Sequence, residues 1–81
     1  MDRDTILAIV IDQIRTVVPE LEGEPIGAGD AMAALGIDSV SRQEVLILSM
    51  EELGLNLPMV QLFGPKNLGE LAQLLEGKLA R

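Results

Sequence analysis

Leu35-Gly36-Ile37-Asp38-Ser39-Val40-Ser41-Arg42-Gln43-Glu44-Val45-Leu46-Ile47-Leu48-Ser49-Met50-Glu51-Glu52-Leu53-Gly54 reads as a single helix with a marked start and a marked stop. Asp38 or Ser39 supplies the N-cap, because a short oxygen-bearing side chain satisfies one of the free N–H groups of the first turn. Ser41 and Glu44 also have the spacing of a capping box. Gly54 is a suitable C-terminal stop. The predicted helix therefore spans Ser39 to about Leu53. Val45, Leu46, Met50 and Leu53 suit burial. Val40, Glu44, Ile47 and Glu51 recur at i, i+4, i+7 and i+11 and make a second face that mixes carboxylates with two apolar side chains.

Working outward, residues 4–18 form a first predicted helix. Leu7, Val10, Ile11, Ile14, Val17 and Val18 lie on one face, and Ile6 and Ile9 fall partly off it. Asp2 or Asp4 caps its start, and Pro19 ends it. The long connection over 19–38 carries Pro19, Gly23, Pro25, Gly27, Gly29 and Gly36, and is acidic through Glu20, Glu22, Glu24 and Asp30. Leu21, Ile26, Met32 and Leu35 are expected to pin it to the core, and Asp30 to cap a short helical turn if one forms. Beyond the central helix, Pro58 is placed at the first position of a short helix reaching about Leu62, which Gly64 and Pro65 end. Asn67 and Glu70 have capping-box spacing before a last helix, Leu68 to about Leu79, with Leu68, Leu71, Leu75 and Leu79 facing inward and Lys78 and Arg81 suiting its C-terminal dipole. The expected fold is all-α: one domain over 1–81, a four-helix antiparallel bundle of three long helices and one short one, with a long loop between the first two.

Composition narrows the chemistry. Eighty-one residues hold one domain at most. Histidine and cysteine are absent, which excludes the imidazole- and thiolate-based nucleophiles and the usual zinc sites. No catalytic or metal-ligating set is found. Thirteen acidic against six basic residues give a net charge of −7, the wrong sign for a nucleic-acid partner. The chain is 48% apolar with one aromatic residue, Phe63, so its core is aliphatic. The apolar run Ile6–Ile11 is too short for a membrane span and is preceded by Asp2 and Asp4, unlike a signal peptide. The expectation is a soluble, cytoplasmic protein; Met1 fits a free-standing chain and also an excised domain.

Ser39 sits at the first turn of the central helix, flanked by Asp38 and Ser41, where its hydroxyl should be exposed. A plain N-cap serine accounts for this as well. Ser39 has no base to activate it, so it is better read as a residue that another enzyme modifies than as a nucleophile of its own. A phosphate attached there would meet the positive end of the helix dipole.

Leu35-Gly36-Ile37-Asp38-Ser39-Val40 resembles the L-G-x-D-S-[LIVM] signature of acyl carrier proteins. Leu57-Pro58 through Phe63, Asn67 and the Leu71–Leu75 run resemble the following part of polyketide-synthase carriers, so the likeness extends from about Thr5 to Leu79. The resemblance implies a carrier and not an enzyme, with 4′-phosphopantetheine covalently on Ser39. A phosphopantetheinyl transferase would attach it from coenzyme A with Mg²⁺, and Asp38 would help present the hydroxyl. Acyl groups would then ride as thioesters on the arm. Partner enzymes would dock on the second helix, with Val40 and Ile47 as apolar anchors and Glu44 and Glu51 meeting basic residues. Arg42 would either select against generic partners or contact the prosthetic phosphate. Met32, Met50 and Met59 read as core gap-fillers and not as the lining of an acyl-chain cavity.

Fatty-acid carriers usually have acidic residues directly after the modified serine, where this chain has Ser41, Arg42 and Gln43. That departure, with the string Gly36 to Glu44 and the segment Leu55 to Leu62, resembles discrete carriers of β-branching cassettes. Those donate acetyl to an enzyme resembling hydroxymethylglutaryl-CoA (HMG-CoA) synthase. The alternatives are a carrier working with an acyltransferase or ketosynthase in fatty-acid, polyketide or nonribosomal-peptide extension, and a helical adaptor without a prosthetic group. A monomer suits a shuttling carrier.

Overall fold

The computed structural model describes residues 1–79, so the predicted dipole role of Arg81 lies outside the described residues. Among these there are three α-helices and no strand: α1 (Arg3–Val17), α2 (Ser39–Leu53) and α3 (Leu68–Leu79). Two short 3₁₀ segments, Pro19–Leu21 and Met59–Leu62, lie in the connections. The fourth helix expected from Pro58 is thus a single 3₁₀ stretch. Pro58 has an extended ψ of 136° and stands before the stretch instead of opening it. The stretch before Gly64 and Pro65 closes with i→i+3 bonds, Gln61 N–H to the Pro58 carbonyl (3.0 Å) and Phe63 N–H to the Val60 carbonyl (3.4 Å).

α1 packs against both α2 and α3, which scarcely meet each other directly. This position corrects the predicted face of α1. Ile6, Val10 and Ile14 are fully buried, while Leu7, Ile9, Ile11, Val17 and Val18 are partly buried around them. At 100° per residue these side chains span an arc of roughly 200° with Ile6, Val10, Ile14 and Val17 in its middle. A helix that serves two neighbours needs an arc of that width, so Ile6 belongs at its centre and not at its edge. Asp2 caps α1 by accepting from the Thr5 N–H at 2.8 Å.

The core is aliphatic as expected. Val45, Leu46, Met50 and Leu53 of α2 and Leu68, Leu71, Ala72 and Leu75 of α3 are buried with the α1 stripe. Leu21, Ile26, Met32 and Leu35 pack against this core from the long loop. Ser49 brings a fully buried hydroxyl into it, without a hydrogen-bond partner among the described residues. Arg15 donates to the carbonyls of Leu21 (2.9 Å) and Glu22, tying the start of the loop to α1.

The loop is also fastened to the start of α3, where helix N–H groups lack partners of their own. Leu68 N–H donates to the Asp30 carbonyl (2.9 Å) and Gly69 N–H to the Ala28 carbonyl (2.8 Å). The approach at Gly69 is close: a Cβ there would lie 3.0 Å from the Ala28 Cβ and 3.2 Å from its carbonyl oxygen. The Asn67 side chain caps α3 by accepting from the Glu70 N–H at 2.8 Å, and the Glu70 carboxylate accepts from the Lys66 N–H at 3.1 Å. The Asn67–Glu70 capping pair is therefore present, displaced by one residue on its return bond. Asp30 does not cap the turn that follows it. Its carboxylate turns back to accept from the Gly27 N–H at 2.7 Å.

Candidate functional site

The start of α2 is shaped by the turn before it. Gly36 N–H donates to the Ala33 carbonyl and Ile37 N–H to the Met32 carbonyl, both at 3.1 Å, with Gly36 at φ 80°. These are the paired bonds of a Schellman closure, and the left-handed residue they require is a glycine. The reversal buries Ile37, which is 4% exposed, and turns the next residues outward. Asp38 is extended (φ −73°, ψ 172°), and its carboxylate accepts from the Ser41 N–H at 2.7 Å. Asp38 is thus the N-cap, Ser39 the first helical residue, and Ser41 lies inside the first turn. The Ser41–Glu44 capping box does not form because Ser41 is the donor in this cap. At the other end Gly54 (φ 69°) and Leu55 close α2 in the same way, onto the carbonyls of Glu51 and Met50.

Of the three serines in the chain only Ser39 is exposed; Ser41 is half-buried and Ser49 wholly buried. The Ser39 hydroxyl makes no hydrogen bond among the described residues, so it can be approached without breaking any. The Asp38 carboxyl is held below the ordinary carboxylate range, first by the Ser41 N–H, then by the Ser41 hydroxyl, with a smaller contribution from the Arg42 charge. Asp2 is lowered in the same direction by the Thr5 hydroxyl and N–H. A carboxylate whose pKa is depressed by folding stabilises the fold above its unfolded value and loses that stabilisation as pH falls through the folded one. The thermal midpoint should therefore drop as pH is taken from about 5 to below 3. An Asp38→Asn variant, which still caps but does not titrate, should show a shallower drop. Parallel midpoint–pH curves for the two proteins would refute this role for Asp38.

Val40 (75% exposed), Ile47 (45% exposed), Glu44 and Glu51 lie together on the outer face of α2. Arg42 stands apart from them. Two residues after Val40 the helix has turned by about 200°, and Arg42 is half-buried along a groove of about 420 Å³. Ser39 is among the residues that line it. Leu46, Leu62, Leu68 and Leu71 form its buried floor, and Phe63 and Lys66 line it from the segment before α3. Met32 lines it too, whereas Met50 is in the core. Phe63 and Ile37 stand in the stretches that resemble carriers, but neither they nor Lys66 were assigned to the site from the sequence. Phe63 is 61% exposed, and the one sign of it in the sequence is that it is the single aromatic residue.

Residues 5–75 match the family profile described as the phosphopantetheine attachment site. The chain belongs to the acyl carrier protein family. This carrier is 40% identical over 79 residues to the polyketide biosynthesis acyl-carrier-protein AcpK of Bacillus subtilis (strain 168), covering 98% of the chain and 96% of that protein. It is also similar to a chain of the crystal structure of the curacin biosynthetic pathway HMG synthase in complex with acetyl donor-ACP. There the TM-score is 0.90 and the identity 43%, covering 95% of this chain and 99% of that one. Its cofactor is 4′-phosphopantetheine, held covalently on a serine, and the carrier is not itself a catalyst. An exposed serine hydroxyl free of internal bonds, at the positive end of a helix, fits that group. No helix among the described residues is long and apolar enough to cross a membrane.

Proposed function

We propose that the chain, as one domain over 1–81, carries acyl groups for polyketide-type biosynthesis on a 4′-phosphopantetheine arm at Ser39. In this reading it donates acetyl to an HMG-CoA-synthase-like β-branching enzyme. The observation that carries the attachment point is the Ser39 hydroxyl, the one exposed serine of the three. The donor role is supported by the likeness to a chain crystallised with an HMG synthase as part of an acetyl donor-ACP complex.

In this reading a separate enzyme loads the arm. A phosphopantetheinyl transferase holds coenzyme A and Mg²⁺ and supplies the base. Ser39 Oγ attacks the β-phosphorus, the Oγ–P bond forms, and the pyrophosphate P–O bond breaks. Adenosine 3′,5′-bisphosphate leaves, and the hydroxyl proton passes to the transferase base. Asp38 contributes by holding the first turn of α2 so that the hydroxyl stays presented. The arm supplies the thiol that this cysteine-free chain lacks. The carrier works as a monomer in the cytoplasm and meets its enzymes through the outer face of α2.

The test of the donor role is to offer acetyl-loaded carrier to an HMG-CoA-synthase-like enzyme and, separately, to an ordinary chain-extending ketosynthase. Acetyl transfer to the synthase is the expected result; acceptance by the ketosynthase alone would refute the donor role. For the docking face, Ile47→Ala and Glu44→Lys should each slow transfer to the synthase by about ten-fold, as the loss of ~1.4 kcal/mol at an interface would. Helicity by circular dichroism should be unchanged. Wild-type rates in both variants would remove this face from the reading.

A further inference from the structure

α2 and α3 scarcely meet, yet a succession of hydrogen-bonded turns joins the first turn of α3 to the residues that present Ser39. It begins with Leu68 N–H on the Asp30 carbonyl (2.9 Å) and Gly69 N–H on the Ala28 carbonyl (2.8 Å). The residues offering these carbonyls are closed into one turn. Asp30 N–H donates to the Gly27 carbonyl (3.1 Å), and Gly27 N–H donates back to the Asp30 carboxylate (2.7 Å). From there Leu35 N–H reaches the Ala31 and Met32 carbonyls, Gly36 N–H the Ala33 carbonyl and Ile37 N–H the Met32 carbonyl, all at 3.1 Å. Ile37 is buried, and Asp38 and Ser39 follow it into α2. The tightest point is Gly69. It is buried, and a Cβ on it would stand 3.0 Å from the Ala28 Cβ and 3.2 Å from the very carbonyl oxygen that accepts its N–H. Its φ is not positive, so close approach and not backbone conformation calls for a glycine there. A glycine inside a helix is otherwise unfavourable.

We infer that Gly69 is a positioning residue for the loading of Ser39. By letting the loop seat directly on α3, it fixes the turn over residues 31–37 from its far end, and with it the place where a transferase meets the hydroxyl. This rests on Ser39 as the attachment point. The turn has two anchors. On the α2 side are buried Ile37 and the Asp38 cap; on the α3 side are the two bonds to the carbonyls of Ala28 and Asp30. Released at the second anchor, the turn samples several positions, of which a fraction suits the transferase. Apparent affinity falls by that fraction. Bond making at Ser39 Oγ is the same in every molecule that is bound, so the effect falls on KM and leaves kcat unchanged.

The test follows initial loading rates by intact mass, with coenzyme A, Mg²⁺ and a broad-range transferase, as the concentration of the full chain is varied. Gly69→Ala should raise KM about ten-fold, as a turn in place in roughly one molecule in ten would. Combining it with Ala28→Gly, which removes the nearer of the two contacts, should recover part of the loss. Ile11→Ala weakens the core from α1 and should load with the wild-type KM. In Gly69→Ala, amide hydrogen exchange at Gly36 and Ile37 should quicken together with exchange at residues 68 and 69, while Val45 and Leu46 in α2 keep their wild-type rates. Asp30→Ala opens the turn over residues 27–30 without crowding the core and should also raise KM; Asp30→Asn keeps an acceptor and should raise it less. That pair carries the test if Gly69→Ala does not fold. A wild-type KM in both Gly69→Ala and Asp30→Ala overturns the positioning role. So does an equal rise in Ile11→Ala, or exchange at Gly36 and Ile37 that stays unmoved while residues 68 and 69 quicken. These results leave the carrier reading intact. A wild type that gains no mass overturns both.

Discussion

Ser39→Ala should abolish attachment of the prosthetic arm completely. Incubated with coenzyme A, Mg²⁺ and a broad-range transferase, wild type should shift entirely to the loaded mass, while the variant stays at its own mass at any time or enzyme concentration. The loss is total because the reaction makes a bond to Oγ, and alanine has no atom to take its place. Ser41→Ala is the informative companion. Ser41 is half-buried within the first turn, and its N–H, which alanine retains, is the group bonded to Asp38. That variant should load as wild type does. Loading of Ser39→Ala, or its failure in Ser41→Ala with Ser39 intact, would place the arm elsewhere. Ser39→Ala should also keep the melting temperature of wild type within a degree or two, because its side chain is exposed and makes no internal hydrogen bond.

Ile14→Ala should cost about 2–5 kcal/mol, the range for removing a fully buried aliphatic side chain. A domain of this size has a total stability of roughly 4–12 kcal/mol, so the variant should be substantially unfolded in mild denaturant. The size of the effect comes from position. Ile14 is fully buried in the one helix that packs on both others, and a cavity there loosens α2 and α3 together. Ile11→Ala removes the same atoms from the partly buried edge of the same arc and should cost less than half as much. The measurement is the urea midpoint of each variant at an unchanged m-value. An Ile11→Ala cost equal to or above that of Ile14→Ala would mean that the α1 arc is centred elsewhere.

Much of the site was legible before any coordinates. A cap at Asp38 or Ser39, which the structure resolves to Asp38, Gly54 at the helix end and Asn67 before α3 each depend on residues within one turn of one another. A side chain three residues away either reaches an N–H or does not, and the sequence shows which residue types are there. The same locality explains the mistakes. Asp30 had the right type for a forward cap, but a nearer donor, the Gly27 N–H, took its carboxylate. Pro58 had the right type to open a helix, but too few residues followed to build one.

The chain alone therefore determined an aliphatic helical domain with a serine at a helix start, a carrier signature around it, and no group able to activate that serine. The signature is a likeness to a known family; the rest is composition and hydrogen bonding between residues within a turn of one another. Tertiary structure decided which side of α1 is central, because that depends on how many helices press on it. It also decided that Arg42, which helical phase puts on the other side of α2 from Val40, shares a groove with Lys66 and Phe63. Those residues come from separate stretches, and the loop over residues 28–30 is fastened beside them to the start of α3 by two backbone bonds, at an approach that a Cβ on residue 69 would crowd.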